Sequence, residues 1–355
     1  VPVSDVDAMD GAFAATPSDL SVVPQRRRDE VATIAQAAVP DGAAAEISEA
    51  TLIVYARERG GPRLAWRIRL ARGLGVRWLI VVDDRDGQVL ATIDEVMDAD
   101  VAGSGLDVFG QSQTLHVWSE SGTHYLVDTS KPMFDGSSNP PSASTTRGAI
   151  LVLDAQHHVT DSSGSLSLAQ ITSVSPTGPW LADGVSAAFG LAQTFDYYSA
   201  VHGRNSLDGN GGNILGVVRY DNNFQNAFWN GQLMVFGDAA PYAGALDVVA
   251  HELTHGVTQH SANLQYQNQP GALNEAISDI FGEATEARTV GQNDWLLGAS
   301  LGQPLRNMMD PHALTIGNTG RPYPKTLSEL IAPTDPFLDQ FRNRDSGGVH
   351  LNSSI

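Results

Sequence analysis

The chain has 355 residues, 42% hydrophobic and 17% charged, with no cysteine and a formal net charge of −19. That length suffices for two or three domains, and the balance is that of a globular chain rather than a disordered one. The acidity argues against a nucleic-acid partner. The lack of thiols excludes a cysteine nucleophile, a Cys-ligated zinc and any disulfide, and no apolar run reaches the ~18 residues of a membrane span.

Residues 1–23 are small, acidic and without period, and read as a linker or the remnant of something removed. The chain opens at Val1 rather than Met, so its native start is expected upstream. From Pro24 the pattern turns helical, with Val31, Ile34, Ala35 and Ala38 on one face and Pro40 as the stop. Strands are predicted at Thr51–Arg57, Arg63–Leu70, Val76–Val82 and Gln88–Ile93, with Asp86-Gly87 as a hairpin turn. One helix and a small antiparallel sheet make an α+β module over 24–100. Ala102-Gly103-Ser104-Gly105 reads as a flexible breaker before a second domain at 101–355. That domain begins β-rich, with strands at Thr114–Trp118 and His124–Asp128 and an exposed Ser/Pro-rich loop at Ser137–Thr146. Beyond Trp180 it becomes helical, beginning with a long helix at Val185–His202.

The chemistry is concentrated in His251-Glu252-Leu253-Thr254-His255. Nothing before this segment breaks a helix, and positions i and i+4 of a helix share a face, so both imidazoles can reach one zinc ion. Glu252 is then placed to take the proton of a metal-bound water, and zinc lowers the pKa of that water to about 7. Taken alone, the motif also fits a solvated helix face that happens to carry two histidines. A second helical cluster, Gly271–Asp279, argues against that reading. A catalytic zinc wants three protein ligands and one open position, and Glu275 can be the third. Asp279 lies one turn on and can orient a liganding histidine from behind, and Asn274 is placed in the same supporting layer.

These residues resemble the thermolysin family of zinc metallopeptidases, the gluzincins. The resemblance rests on HELTH at 251–255, GALNEAISD at 271–279, the Asn226–Gly231 segment and Asp345–Ser353, which is similar to a DxGGVHxNS pattern. It covers about 106–355, and the module at 24–100 resembles the PepSY-type part of the family's propeptide. The resemblance implies that His251, His255 and Glu275 ligate zinc, with Glu252 as general base. It further implies that His350 donates to the tetrahedral oxyanion, that Asp345 fixes its tautomer and that Tyr266 supports the same charge. Asn226 and Ala227 would hold the substrate backbone and Arg306 a substrate carbonyl. Leu305, Val248 and Leu297 would line an apolar pocket, implying cleavage before bulky hydrophobic residues.

Departures from the family pattern set further expectations. Asp247, Glu286 and Asp294 match calcium ligands, but Gln292, Leu296 and Ala299 stand at other ligand positions, so at most one calcium is expected. A calcium-bearing loop is expected to be absent between Leu301 and Leu305. The chain is also expected to stop before the family's helical C-terminal domain, leaving His350 near a free end with little to hold it.

The function expected is a secreted zinc endopeptidase precursor acting on proteins or peptides. Its own propeptide is the expected partner, cut away between about Asp98 and Gly105. An inactive metal-bound folding or inhibitory module is the alternative. A different zinc hydrolase fits the Asn226–Gly231 and Asp345–Ser353 segments less well. A serine hydrolase lacks its G-x-S-x-G signature.

Overall fold

The structure is a computed structural model that describes residues 20–39, 42–56, 61–72, 76–94, 99–162 and 164–355. Most of the expected N-terminal linker, the stop at Pro40, Arg57 and Asp98 lie outside these. The chain divides into two compact units. One runs to Asp98 and takes in Glu120–Gly122, and the other holds Ala99–Ser119 and Thr123–Ile355.

In the first unit, helix α1 (Arg28–Ala37) opens with a capping box, in which the Glu30 carboxylate accepts from the Arg27 backbone N–H. Strands β1 (Glu46–Tyr55), β2 (Arg63–Arg72), β3 (Val76–Asp83) and β4 (Val89–Asp94) follow as an antiparallel meander, each paired with the next. Val31 and Ala35 of α1 pack on Ile68, Leu70, Ile80 and Val82. These strand residues are two apart along β2 and β3, as the pleat requires for one buried face.

The second unit opens with β5 (Ala99–Leu106), β6 (Ser112–Glu120), β7 (Thr123–Tyr125) and β8 (Val127–Asp128). The expected breaker at Ala102–Gly105 is therefore the middle of a strand, paired in register with β6 from Ala102↔His116 to Gly105↔Gln113. Its glycines serve close packing rather than flexibility. A Cβ on Gly103 would stand 2.3 Å from the Pro176 carbonyl oxygen, and one on Gly105 would stand 2.6 Å from Val185.

Further along come β9 (Ile150–Asp154), β10 (Ala169–Gln170), β11 (Thr172–Ser173), helix α2 (Ala182–His202), β12 (Ile214–Val218), β13 (Ala227–Trp229) and β14 (Met234–Phe236). Among the described residues, β11-β7-β6-β5 form one sheet and β10-β9-β12-β14-β13 another, with β8 also on β9. Strand β12 is parallel to both β9 and β14, and β13 returns antiparallel at the edge. Every residue of β9 is buried, as expected of a strand covered on both faces.

Helix α3 (Leu246–Gln259) and helix α4 (Asn268–Val290) pack backbone to backbone. A Cβ on Gly282 of α4 would lie 2.6 Å from the Asp247 carbonyl oxygen of α3, so only glycine allows this approach. The chain continues through the short pair β15 (Leu296–Leu297) and β16 (Arg306–Asn307), then through 3₁₀ turns.

The expectation of a missing C-terminal helical lobe fails here. The segment that follows helix α4 has a core of its own, built from Ile316, Ile331, Leu338 and Leu351. Burial of apolar side chains lets this segment hold its place. His350 is correspondingly well anchored. Its neighbour Leu351 is in that core, and Asn352 exchanges two hydrogen bonds with the Ile331 backbone, at 2.9 and 3.0 Å.

Candidate active site

On α3, His251, Glu252 and His255 are all buried, and the i, i+4 spacing turns both imidazoles to α4. Their Nε2 atoms stand 2.9 Å apart. Glu275 of α4, wholly buried, brings Oε1 to 3.3 Å from His255 Nε2 and Oε2 to 3.6 Å from His251 Nε2. Donors bound to one tetrahedral zinc at 2.0–2.1 Å are roughly 3.3 Å apart, so the three groups fit that ion. Glu275 Oε2 is buried and receives no hydrogen bond, although Arg306 Nη2 is 3.2 Å away. An unsatisfied buried carboxylate oxygen beside an imidazole nitrogen is what a metal ligand leaves behind.

The far nitrogens of both imidazoles are also held. His255 Nδ1 lies 2.9 Å from Asn274 Oδ1 and 3.2 Å from Ser278 Oγ. His251 Nδ1 lies 2.8 Å from Asp279 Oδ1. The Asn274 and Ser278 contacts fix the His255 tautomer that presents Nε2 to a metal, while the Asp279 carboxylate stands behind His251 at ion-pair distance. The supporting role of Ser278 was not foreseen from the sequence.

Burial would raise the Glu275 carboxyl, but the charges and bonds of His350, His255 and His251 outweigh it and hold it well below its ordinary range. Burial would lower His255, but Glu275 and Glu252 raise it to about 9. A proton and a metal ion thus compete for the same imidazole. Asp279 is lowered in spite of its burial, chiefly by the Arg306 charge. The Arg306 guanidinium gives it two bonds of 2.6 Å.

The three donors open onto a cleft of about 720 Å³ whose lining includes Glu252, His350, Tyr266, Arg306, Asn226 and Ala227. The Tyr266 hydroxyl donates to Glu275 Oε1 and stands 2.9 Å from His350 Nε2. Desolvation and the Glu275 charge push the Tyr266 phenol up, so it remains a donor at neutral pH. His350 Nδ1 lies 2.5 Å from Asp345 Oδ1, and the His350 backbone N–H donates to the same carboxylate. Residues 343–346 all have positive φ without being glycine, and this left-handed turn carries Asp345 under the His350 ring. Ala227 belongs to β13, the edge strand, whose outer backbone groups face no strand partner among the described residues. Val248 and Leu297 are buried and Leu305 is half exposed, and all three line the cleft.

Two of the expected calcium ligands stand in one acidic cluster. Asp247 and Glu286 offer oxygens within 4.8 Å of one another, and the third member of the cluster is Glu283. Asp294 is exposed, with its Oδ1 bound to the Leu296 N–H at 2.9 Å. Burial first, then neighbouring negative charge, raises Glu283 to about 8 and Glu286 to about 7, and burial raises Asp247 to about 6. Glu283 was missed in the sequence, yet a signal exists. Acids at 275, 279, 283 and 286 recur every three or four residues and so share one face of α4.

Two family profiles match. One, described as Thermolysin metallopeptidase, catalytic domain, covers residues 102–259, and the other, Thermolysin metallopeptidase, alpha-helical domain, covers 262–355. The second profile confirms that the C-terminal helical domain is represented in this chain. Bacillolysin of Bacillus amyloliquefaciens is 34% identical over 328 residues, which are 90% of this chain and 57% of that protein. Thermolysin of Alicyclobacillus acidocaldarius subsp. acidocaldarius is 33% identical over 362 residues, 91% of this chain and 58% of that protein. The chain thus spans little more than half the length of these relatives. A solved precursor of protealysin, a metalloproteinase from Serratia proteamaculans, is 34% identical with a TM-score of 0.49, covering 57% of this chain and 64% of that one. With both profiles matched in order from residue 102 to residue 355 and their zinc-ligand pattern present on α3 and α4, the chain belongs to the thermolysin metallopeptidase family.

Proposed function

We propose that this chain is a zinc-dependent endopeptidase, and one observation carries the reading. His251 Nε2, His255 Nε2 and the buried Glu275 carboxylate, whose Oε2 receives no hydrogen bond, converge from two helices at the wall of an open cleft. A zinc ion held there supplies Lewis acidity toward the scissile carbonyl and lowers the pKa of a water. The chain's own residues do the rest. Glu252 accepts the proton of the attacking water and passes it to the amide nitrogen as the C–N bond breaks. His350, oriented by Asp345, and the Tyr266 hydroxyl donate hydrogen bonds to the carbonyl oxygen as it gains charge. The substrate backbone adds to the free edge of β13 at Asn226 and Ala227, and Arg306, braced by Asp279, holds a substrate carbonyl. Val248, Leu297 and Leu305 offer apolar surface to the side chain following the cut, which favours bulky hydrophobic residues there.

We further infer a secreted precursor whose first unit, which runs to Asp98, is a propeptide. Removal just ahead of Ala99 fits this reading best, since a cut inside 99–106 would break the β5–β6 ladder. At most one calcium ion is proposed, near Asp247. The test is intact mass over time with zinc and calcium present, together with hydrolysis of an internally quenched peptide. The zinc-loaded parent should cut the peptide, and its Glu252→Gln variant should bind zinc without cutting. A parent that carries stoichiometric zinc and hydrolyses nothing would leave the inactive folding or inhibitory module as the better reading.

A further inference from the structure

We propose that Asp100, His116 and Asp128 form a further metal site, one that takes a divalent transition-metal ion of the zinc class and ties the edge strand β5 to β6 and β8.

Three observations carry it. The first is geometry. One ligand atom from each of the three residues lies within 4.8 Å of the other two. Each residue comes from a different strand, Asp100 from β5, His116 from β6 and Asp128 from β8. Zinc bonds of 2.0–2.2 Å put the donors of one ion roughly 3–4 Å apart, a spacing that small side-chain rotations can reach from here. One imidazole with two carboxylates suits zinc, cobalt or nickel, whereas calcium favours oxygen alone.

The second is a buried carboxylate that is only half satisfied. Asp128 Oδ1 accepts from the Ser130 N–H at 2.8 Å and from the Ser130 hydroxyl at 2.6 Å. Asp128 Oδ2 accepts no hydrogen bond among the described residues, and Lys131 Nζ stands 4.0 Å from it. The residue is only 7% exposed. Burial raises its carboxyl, and the charge of Asp100 adds to that. A buried carboxylate short of partners calls for a cation.

The third is the local charge. Lys131 Nζ lies 2.8 and 2.7 Å from the two oxygens of Asp196, so its charge is already engaged. Asp100, Asp128 and Asp196 against this one ammonium leave two negative charges, which one divalent ion balances. His116 Nδ1 and Asp100 Oδ2, 2.6 Å apart, share a proton that a metal ion would displace. His116 and Asp128 line a cleft of about 340 Å³, which gives an ion and its waters a way in.

The test counts zinc by equilibrium dialysis of the full chain, comparing the parent with His116→Gln, Asp128→Asn and His251→Gln. Circular dichroism matching the parent shows that each variant is folded. The parent should bind two zinc ions. His116→Gln should keep one, with the other weakened at least about 100-fold, and Asp128→Asn, which removes a second ligand, should reproduce that loss. His251→Gln, which alters the site proposed for catalysis, should lose the other ion and keep the one at His116. If His116→Gln and Asp128→Asn bind zinc as the parent does, the trio is only a His–Asp ion pair beside a buried acid, and the proposal fails. A parent whose single zinc ion is lost in His251→Gln also overturns it and leaves the catalytic reading standing. A single ion lost in His116→Gln instead supports this site and sinks the catalytic one.

Discussion

Asp279 Oδ1 lies 2.8 Å from His251 Nδ1, and the same carboxylate takes both bonds of the Arg306 guanidinium. One buried side chain therefore stands behind both the imidazole proposed as a zinc ligand and the arginine proposed to hold the substrate. Asp279→Asn should keep the shape and lose the charge, weakening zinc binding by about 10–100-fold. Competition with a chromogenic chelator measures this, and an unchanged zinc affinity would show that the contact does not orient the ligand.

His350 reaches the cleft from the C-terminal lobe and touches the zinc helices through Tyr266. His350→Ala should lower kcat by about 10²–10³-fold with zinc content unchanged. Loss of zinc along with activity would instead make His350 part of the metal's support.

Metal removal should loosen the second unit, because the three donors come from two helices and bind metal only when folded together. At a zinc concentration of about 100 times Kd the gain is about 2.7 kcal/mol, so the melting temperature should fall on dialysis against a chelator and return on titration. Calorimetric scans across a zinc series give the comparison, and a melting temperature indifferent to zinc would contradict the site.

Gly282 lets α4 approach the α3 backbone at Asp247. Gly282→Ala should cost about 1–3 kcal/mol despite alanine's better helix propensity, since the methyl group meets a carbonyl oxygen rather than a movable side chain. Zinc affinity should drop with it, as Glu275 and Asp279 shift relative to His251. Urea unfolding with and without zinc separates the two effects, and a stabilised variant would refute the close approach.

In the first unit, the Arg67 guanidinium, with help from Thr51 and Arg69, holds the Glu49 carboxyl at about 2 rather than 4.5. The bonds to Arg67 and Arg69 are 2.5 and 2.6 Å. A depressed carboxyl stabilises the fold above its unfolded pKa, and that contribution is lost as pH falls from about 4.5 to about 2. Glu49→Gln should therefore melt slightly lower than the parent at neutral pH, with the gap closing towards pH 2. Because the group is at the surface the effect should be small and weaker in salt. A gap that widens on acidification would reverse the assignment.

Much of the candidate zinc site's layout was legible from local spacing alone. A helix repeats every 3.6 residues, so His251 and His255 on one helix, and Glu275 and Asp279 on another, must each share a face whatever surrounds them. The strands of the first unit were legible for the same reason, their period of two being written into Ile68, Leu70, Ile80 and Val82. What depends on distant residues could not be read that way. The Ala102–Gly105 segment carries the composition of a breaker, yet it is a strand paired with β6, and its glycines answer to Pro176 and Val185 packed against them. His350 was expected near a free end with little to hold it, yet Ile331 and Leu338, spread over a stretch with little helical period, pack with its neighbour Leu351. Glu283 is one more acid on a helix face until the Trp295 N–H and an aspartate from α3 close around it. Periodicity is a property of neighbours along the chain and survives in the sequence. Which buried charge ends up beside which other is decided only when the chain packs.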